Sequence, residues 1–157
     1  MVYADCIKIY ENYLTDVKKA SANTLSSYLR DIRQFDSFLE SHNKPEIMDV
    51  DFEVLSEYID WLRSSGKSVA TVSRSIASLK SFYGYMQQEG YLSDNPASQL
   101  VPDKSTQKLP QILTNKEVEL LLEQPDCSDM KGYRDRAMLE LLYATGIRVS
   151  ELIALNI

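Results

Sequence analysis

Asn23–Leu39 reads NTLSSYLRDIRQFDSFL. Its apolar residues, Leu25, Tyr28, Leu29, Ile32, Phe35, Phe38 and Leu39, recur at intervals of three and four. That spacing lays one stripe along a helix and does not alternate as a strand would. The helix is expected to begin near Ala22 or Asn23 and to fray by His42–Asn43, ahead of Pro45, because a residue before proline is pushed out of helical geometry. The same period continues on both sides. Ile7, Tyr10, Leu14 and Val17 predict a first helix over about residues 4–19. Val54, Leu55, Tyr58, Ile59 and Leu62 predict a third. The acids of Asp49–Glu53 suit its positive N-terminus and Gly66 suits its end. Ser68 is placed to cap a fourth helix bearing Val69, Val72, Ile76, Leu79, Phe82, Tyr83 and Met86, which stops before Gly90. Four amphipathic helices with short connections predict an all-α four-helix bundle over residues 1–90. Tyr28, Phe35, Phe38, Phe82 and Tyr83 are expected in its core.

Beyond the bundle, Ser93–Pro110 holds three prolines and no helical period. Residues 91–110 are therefore expected to be a linker. The region 111–157 opens with Thr114-x-x-Glu117, a capping-box pattern, followed by Val118, Leu121 and Leu122. A longer helix is expected over about 131–144, with Gly146 as its left-handed cap, then a short one from Val149 to Leu155. Tyr143 falls with apolar neighbours, so burial is expected for it, as for Tyr28, Tyr58 and Tyr83. Leu139, Leu142, Leu152, Ile153 and Leu155 are expected to expose apolar surface or to bury it against another copy.

Charge and composition narrow the function. The net charge is −6 at pH 7, which argues against a protein that simply coats DNA. The distribution is uneven. Seven acids (Glu40, Glu46, Asp49, Asp51, Glu53, Glu57, Asp60) crowd residues 40–60 against Lys44 alone. From Trp61 to Gln88 there is no acid, while Arg63, Lys67, Arg74 and Lys80 supply positive charge. A locally basic face can thus sit on an acidic protein. Cys6 and Cys127 are far apart and His42 is the single histidine, so neither a disulfide framework nor a metal site is expected. No apolar run is long enough to span a bilayer and no leader is evident, so a cytoplasmic protein is expected.

The most specific element lies near the C-terminal end. Asp135-Arg136-Ala137 is followed by Leu141-Leu142-Tyr143-Ala144-Thr145-Gly146-Ile147-Arg148-Val149-Ser150-Glu151-Leu152. In order and spacing this resembles the opening of the catalytic domain of tyrosine recombinases, the family of phage integrases and Xer-type site-specific recombinases. Residues 23–39 and 68–96 resemble the family's N-terminal core-binding domain, and Lys108-Leu109-Pro110 resembles the start of its catalytic domain. The resemblance implies a SAM-like core-binding bundle, a linker, and the first helices of a truncated catalytic domain at 111–157.

The resemblance also implies roles. Arg148 would grip the scissile phosphate and Glu151 would support it. The chemistry suits arginine, because a guanidinium offers a planar fork of donors and keeps its charge at any working pH. Such donors stabilise the extra charge on a phosphorane transition state. The family's lysine on a hairpin, its His-x-x-Arg and its tyrosine nucleophile would lie beyond Ile157, since His42 is followed by Asn43-Lys44-Pro45. This chain is therefore expected to bind DNA without cutting it, where the intact family breaks and rejoins strands through a 3′-phosphotyrosyl intermediate. Neither metal nor nucleotide cofactor is implied. Double-stranded DNA is the implied partner, with further protomers in a synaptic tetramer for an intact protein.

The expected DNA contacts are Ser21, Asn23, Thr24 and Tyr28 at the start of the second helix, with Lys67, Ser68, Thr71, Arg74 and Lys80 on the fourth and Lys108 on the linker. Hydroxyls and amides near helix N-termini suit phosphate contact, and Arg74 is expected to reach a base edge, its replacement by glutamate weakening binding while the fold tolerates the change. The hydroxyls of Ser21 and Ser68 serve equally well as plain caps. A non-enzymatic helical DNA-binding or regulatory protein is the alternative. A protein-interaction bundle is a third reading; the acidic balance favours these two, and the pattern around Arg148 argues against both.

Overall fold

The computed structural model describes residues 4–103 and 112–155. Among the described residues every regular element is helical. The chain divides into two compact units, Met1–Thr106 and Gln107–Ile157.

In the first unit, α1 (Ala4–Asn12) runs into a π-helical turn over Tyr13–Val17. The expected single helix over 4–19 is corrected here. The turn widens so that the Lys18 N–H bonds the Tyr13 carbonyl, five residues back, and the Ala20 N–H bonds the Leu14 carbonyl. Leu14 stays fully buried, and Lys19 takes a positive φ of 46° to reverse the chain. α2 (Ala22–Ser41), α3 (Phe52–Ser64) and α4 (Val69–Gln88) follow the apolar stripes read above. Each has a side-chain cap: Ser21 accepts from the Thr24 N–H, Asp51 from Val54 and Ser68 from Thr71. Gly66 and Gly90 stand just past α3 and α4 with φ of 75° and 76°, the left-handed region that a side chain resists.

α2 and α4 share the most extensive helix contact of this unit. Its core joins Ile32, Phe35, Leu55, Tyr58, Leu62, Ile76, Leu79, Phe82 and Tyr83 with Tyr10 and Leu14. Phe35, Phe38, Phe82 and Tyr83 are buried as expected, while Tyr28 is half-buried at the margin. Tyr83 donates its phenol to the Ile47 carbonyl at 2.7 Å, which satisfies the one polar atom of a fully buried ring.

The stretch expected to be a linker is part of this unit over its first half. Ala97 and Leu100 are buried in the bundle's core. Arg63 of α3 then holds Asp103 in a fork, Nε to Oδ2 at 3.0 Å and Nη2 to Oδ1 at 2.9 Å, and reaches Asp60 at 2.7 Å with Nη1. Prolines end helices but do not prevent packing, so the absence of helical period concealed two core residues.

The second unit contains α5 (Asn115–Leu122), α6 (Met130–Thr145) and α7 (Val149–Ile153). Thr114 and Glu117 form the expected capping box: the Thr114 N–H donates to Glu117 Oε2 at 2.7 Å and the Glu117 N–H to Thr114 Oγ1 at 3.4 Å. These bonds hold the Glu117 carboxyl below the ordinary glutamate range. Asp129 caps α6 by accepting from the Gly132 N–H at 2.7 Å. A Cβ at Gly132 would overlap the Asp126 carbonyl, so the turn before α6 packs onto the helix only because residue 132 is glycine. Gly146 ends α6 with φ of 67°, as expected.

Burial in this unit departs from expectation at Tyr143, which is exposed. The apolar residues of α6 are spread around the helix and not gathered on one stripe, so no single neighbour covers them. Ile153 and Leu155 are exposed as expected, Leu139 and Leu142 are half-buried, and Leu152 is buried, against expectation.

Candidate functional site

Arg148 stands where the chain leaves the left-handed cap of α6 and enters α7. Its backbone is extended (φ −76°, ψ 152°), which makes it the residue that precedes the first helical turn. Glu151, one turn on, binds it twice. Oε2 accepts the Arg148 backbone N–H at 2.7 Å, and Oε1 accepts from Nη1 at 3.3 Å. One carboxylate therefore both caps α7 and limits where the guanidinium points. The side chain is otherwise free: it is 83% exposed, and among the described residues Nε and Nη2 make no bond. An open guanidinium tethered at one nitrogen is a site for an anion with two oxygens to offer. The Arg148 N–H, already bound by Glu151, adds nothing to such a site.

On the bundle, the expected DNA residues fall into three groups. Ser21 and Thr24 lie with their hydroxyls 3.0 Å apart, and Ser68 and Thr71 with theirs 2.9 Å apart. In each pair the serine oxygen also accepts the N–H of the later residue, so both pairs cap helices while remaining at the surface. Lys67 and Lys80 form no ion pair among the described residues; Lys67 and Asn23 are exposed and Lys80 is half-buried. Lys108 lies outside the described residues.

Arg74 is different, and its geometry speaks against the expectation that the fold tolerates its replacement by glutamate. Its Nε donates to Asp31 Oδ2 at 3.0 Å and its Nη2 to Asp31 Oδ1 at 2.9 Å. Asp31 lies on α2 with its side chain only 1% exposed, and Ser78 donates to its Oδ2 at 2.8 Å. The fork with Asp31 raises the Arg74 pKa further. Behind the pair, the buried Tyr58 phenol is pushed up by burial and then by the Asp31 charge. Ser75 is its polar neighbour, though neither hydroxyl closes a bond of good geometry.

Asp31 was not among the expected site residues. Its signal was present: in NTLSSYLRDIRQFDSFL it sits between Leu29 and Ile32, one turn from Tyr28 and Phe35, so an acid occupies the edge of an apolar stripe. What helical spacing could not name was the partner, 43 residues away. His42 has a structural place, bonded to the Phe38 carbonyl at 3.0 Å with its ring on Phe38.

Comparison with known proteins accords with both halves. Residues 7–90 match the phage integrase N-terminal SAM-like domain, and residues 111–157 match the phage integrase family. The chain is 38% identical over 151 residues to the tyrosine recombinase XerD of Staphylococcus aureus, and 37% identical over 151 residues to that of Staphylococcus epidermidis. Each alignment covers 96% of this chain and 51% of the relative, so the chain spans about half the length of the curated relatives it matches. Among the described residues no helix is long and apolar enough to cross a membrane. With an all-α bundle matched over 7–90 and the Arg148 segment inside the second match, the chain belongs to the phage integrase family of tyrosine recombinases.

Proposed function

We propose that this chain is the DNA-binding and phosphate-gripping part of a site-specific recombinase acting in the cytoplasm. The bundle meets double-stranded DNA through the outer faces of α2 and α4. Lys67 and Lys80 supply charge there, and the capped N-termini at Ser21 and Ser68 supply short polar contacts. Asn23, Thr24, Tyr28 and Thr71 lie on these same elements, and Lys108 follows in the chain.

Arg148 is the catalytic residue of this portion. When a tyrosine oxygen attacks the phosphorus, its bond to phosphorus forms as the bond to the 5′-oxygen breaks. The 3′-phosphotyrosyl link keeps the energy of the broken diester, so rejoining needs no nucleotide. The guanidinium steadies the charge that builds on the non-bridging oxygens during both steps. Glu151 is a positioning residue that restrains the arginine. The tyrosine nucleophile and further protomers of a synaptic tetramer complete the reaction.

The observation that carries this reading is the exposed Arg148 guanidinium, held among the described residues by Glu151 alone, at the junction of α6 and α7 within the family match. The test uses the protein as its natural reading frame encodes it. Arg148→Ala is expected to remove covalent complex formation on a nicked suicide duplex, a loss of about a hundredfold or more in rate, while gel-shift affinity stays near that of the parent. Cleavage at the parental rate would refute the role.

A further inference from the structure

Building on the reading that the α2–α4 face meets DNA, we infer that Asp31 is a positioning residue that presents Arg74 edge-on to a single backbone phosphate. The geometry has three parts. First, the pair is directional. Arg74 has five N–H donors, of which Asp31 takes one from Nε and one from Nη2. The Nη1 side makes no bond among the described residues, and the side chain is 40% exposed. The inner edge is therefore fixed to a buried carboxylate and the outer edge faces solvent.

Second, the carboxylate is itself fixed. Asp31 receives Ser78 at 2.8 Å, and Ser78 also donates to the Arg74 carbonyl at 3.1 Å. Arginine, aspartate and serine thus close a ring between α2 and α4, and the guanidinium plane cannot turn without breaking it. Ordering a long side chain in advance removes an entropic cost that a free surface arginine meets on binding.

Third, the tether selects the ligand. A guanidinium held against its own helix pair cannot extend to the floor of a groove, where base edges lie. Phosphates line the outer rim of the duplex and ask for donors in a plane. The Asp31 charge offsets that of Arg74, so this residue contributes direction, whereas Lys67 and Lys80 contribute net charge. The expectation of a base contact is replaced by a sequence-independent one.

The experiment is an anisotropy titration of three fluorescein-labelled duplexes, one of mixed sequence, one of A·T pairs only and one of G·C pairs only. Each is titrated at several salt concentrations with the 157-residue protein. Circular dichroism melts set a temperature at which every variant is folded. Arg74→Lys keeps a cation for Asp31 but has no second edge. It is expected to weaken binding about tenfold on all three duplexes, the worth of one hydrogen bond to a charged group, and to leave the log–log salt slope nearly unchanged, because Asp31 offsets the charge at this position in both proteins. Asp31→Asn is expected to cost several-fold in the parent and nothing further in the Arg74→Lys background, because Asp31 acts only through Arg74. Ser78→Ala, which leaves both charges in place, is expected to show the same background dependence.

Parental binding by Arg74→Lys, a loss confined to one duplex, or an Asp31→Asn cost equal in both backgrounds would each overturn the inference. Lys67→Gln separates the two levels. If it flattens the slope and Arg74→Lys binds like the parent, the positioning role fails while the DNA face stands. If the parent binds none of the duplexes in a salt-dependent way, both fail.

Discussion

Replacing Arg74 should cost far more stability than its place on a half-exposed helix face suggests. Arg74→Glu removes the fork to Asp31 and sets a second carboxylate beside one whose side chain is 1% exposed. Breaking a buried ion pair by removing one partner costs about 3–5 kcal/mol. Arg74 is 40% exposed, so water reaches one side of the pair and the lower end, about 3 kcal/mol, applies to Arg74→Ala. Charge reversal adds repulsion. Two like charges about 4 Å apart at an effective dielectric of about 20 repel by roughly 4 kcal/mol. A glutamate can turn outward and shed most of that, leaving a total of about 4–5 kcal/mol. Arg74→Lys keeps a charge for Asp31 and should cost about 1 kcal/mol. Urea unfolding followed by tryptophan fluorescence is the assay. Trp61 is the only tryptophan and it lies against Phe38 and Tyr58, so the signal reports this unit alone. With an m value of about 1.5 kcal/mol/M, the midpoint should fall by about 2 M for Arg74→Ala and further for Arg74→Glu. A midpoint for Arg74→Glu within about 0.3 M of the parent would refute the reasoning, since the signal would then report no loss of a buried pair.

Two other outcomes follow from the geometry. Leu100→Ala should lower the stability reported by Trp61 by about 2–3 kcal/mol, the lower range for a core leucine at an edge that can partly collapse. Val101→Ala, at a side chain 76% exposed, should change it by less than about 0.5 kcal/mol; equal effects would show that the segment after Gly90 does not pack on the bundle. In the second unit, Thr114→Ala should cost about 1 kcal/mol of α5 stability. The Glu117 carboxyl is depressed in the folded protein, so its contribution is present above its unfolded pKa and lost as pH falls through the folded one. An NMR titration should find Glu117 below the ordinary glutamate range in the parent and raised part of the way back in Thr114→Ala, which keeps the backbone N–H of residue 114 and removes only its hydroxyl; no difference between the two would sink the hydroxyl's share in the capping account.

Much of the fold was legible because a helix is a local object. Its period, its caps and its stops lie within a few residues of one another. Leu25 to Leu39 drew α2, Ser68 announced α4, Thr114 with Glu117 opened α5 and Gly146 closed α6. Arg148 and Glu151 were legible for the same reason, since three residues separate them and one helical turn brings them together. The tertiary structure decided everything that joins distant residues. Asp31 and Arg74 are 43 positions apart, and Arg63 and Asp103 are 40 apart. No period links such pairs, so an arginine that read as a free DNA contact proved to be anchored, and a proline-rich tract that read as a linker proved to bury Ala97 and Leu100. Burial in the second unit was equally hidden, because a stripe shows which face of a helix is apolar only when one exists. α6 has none, and the exposure of Tyr143 and burial of Leu152 are set by which neighbours surround each side chain, a property of the assembled chain and not of its spacing.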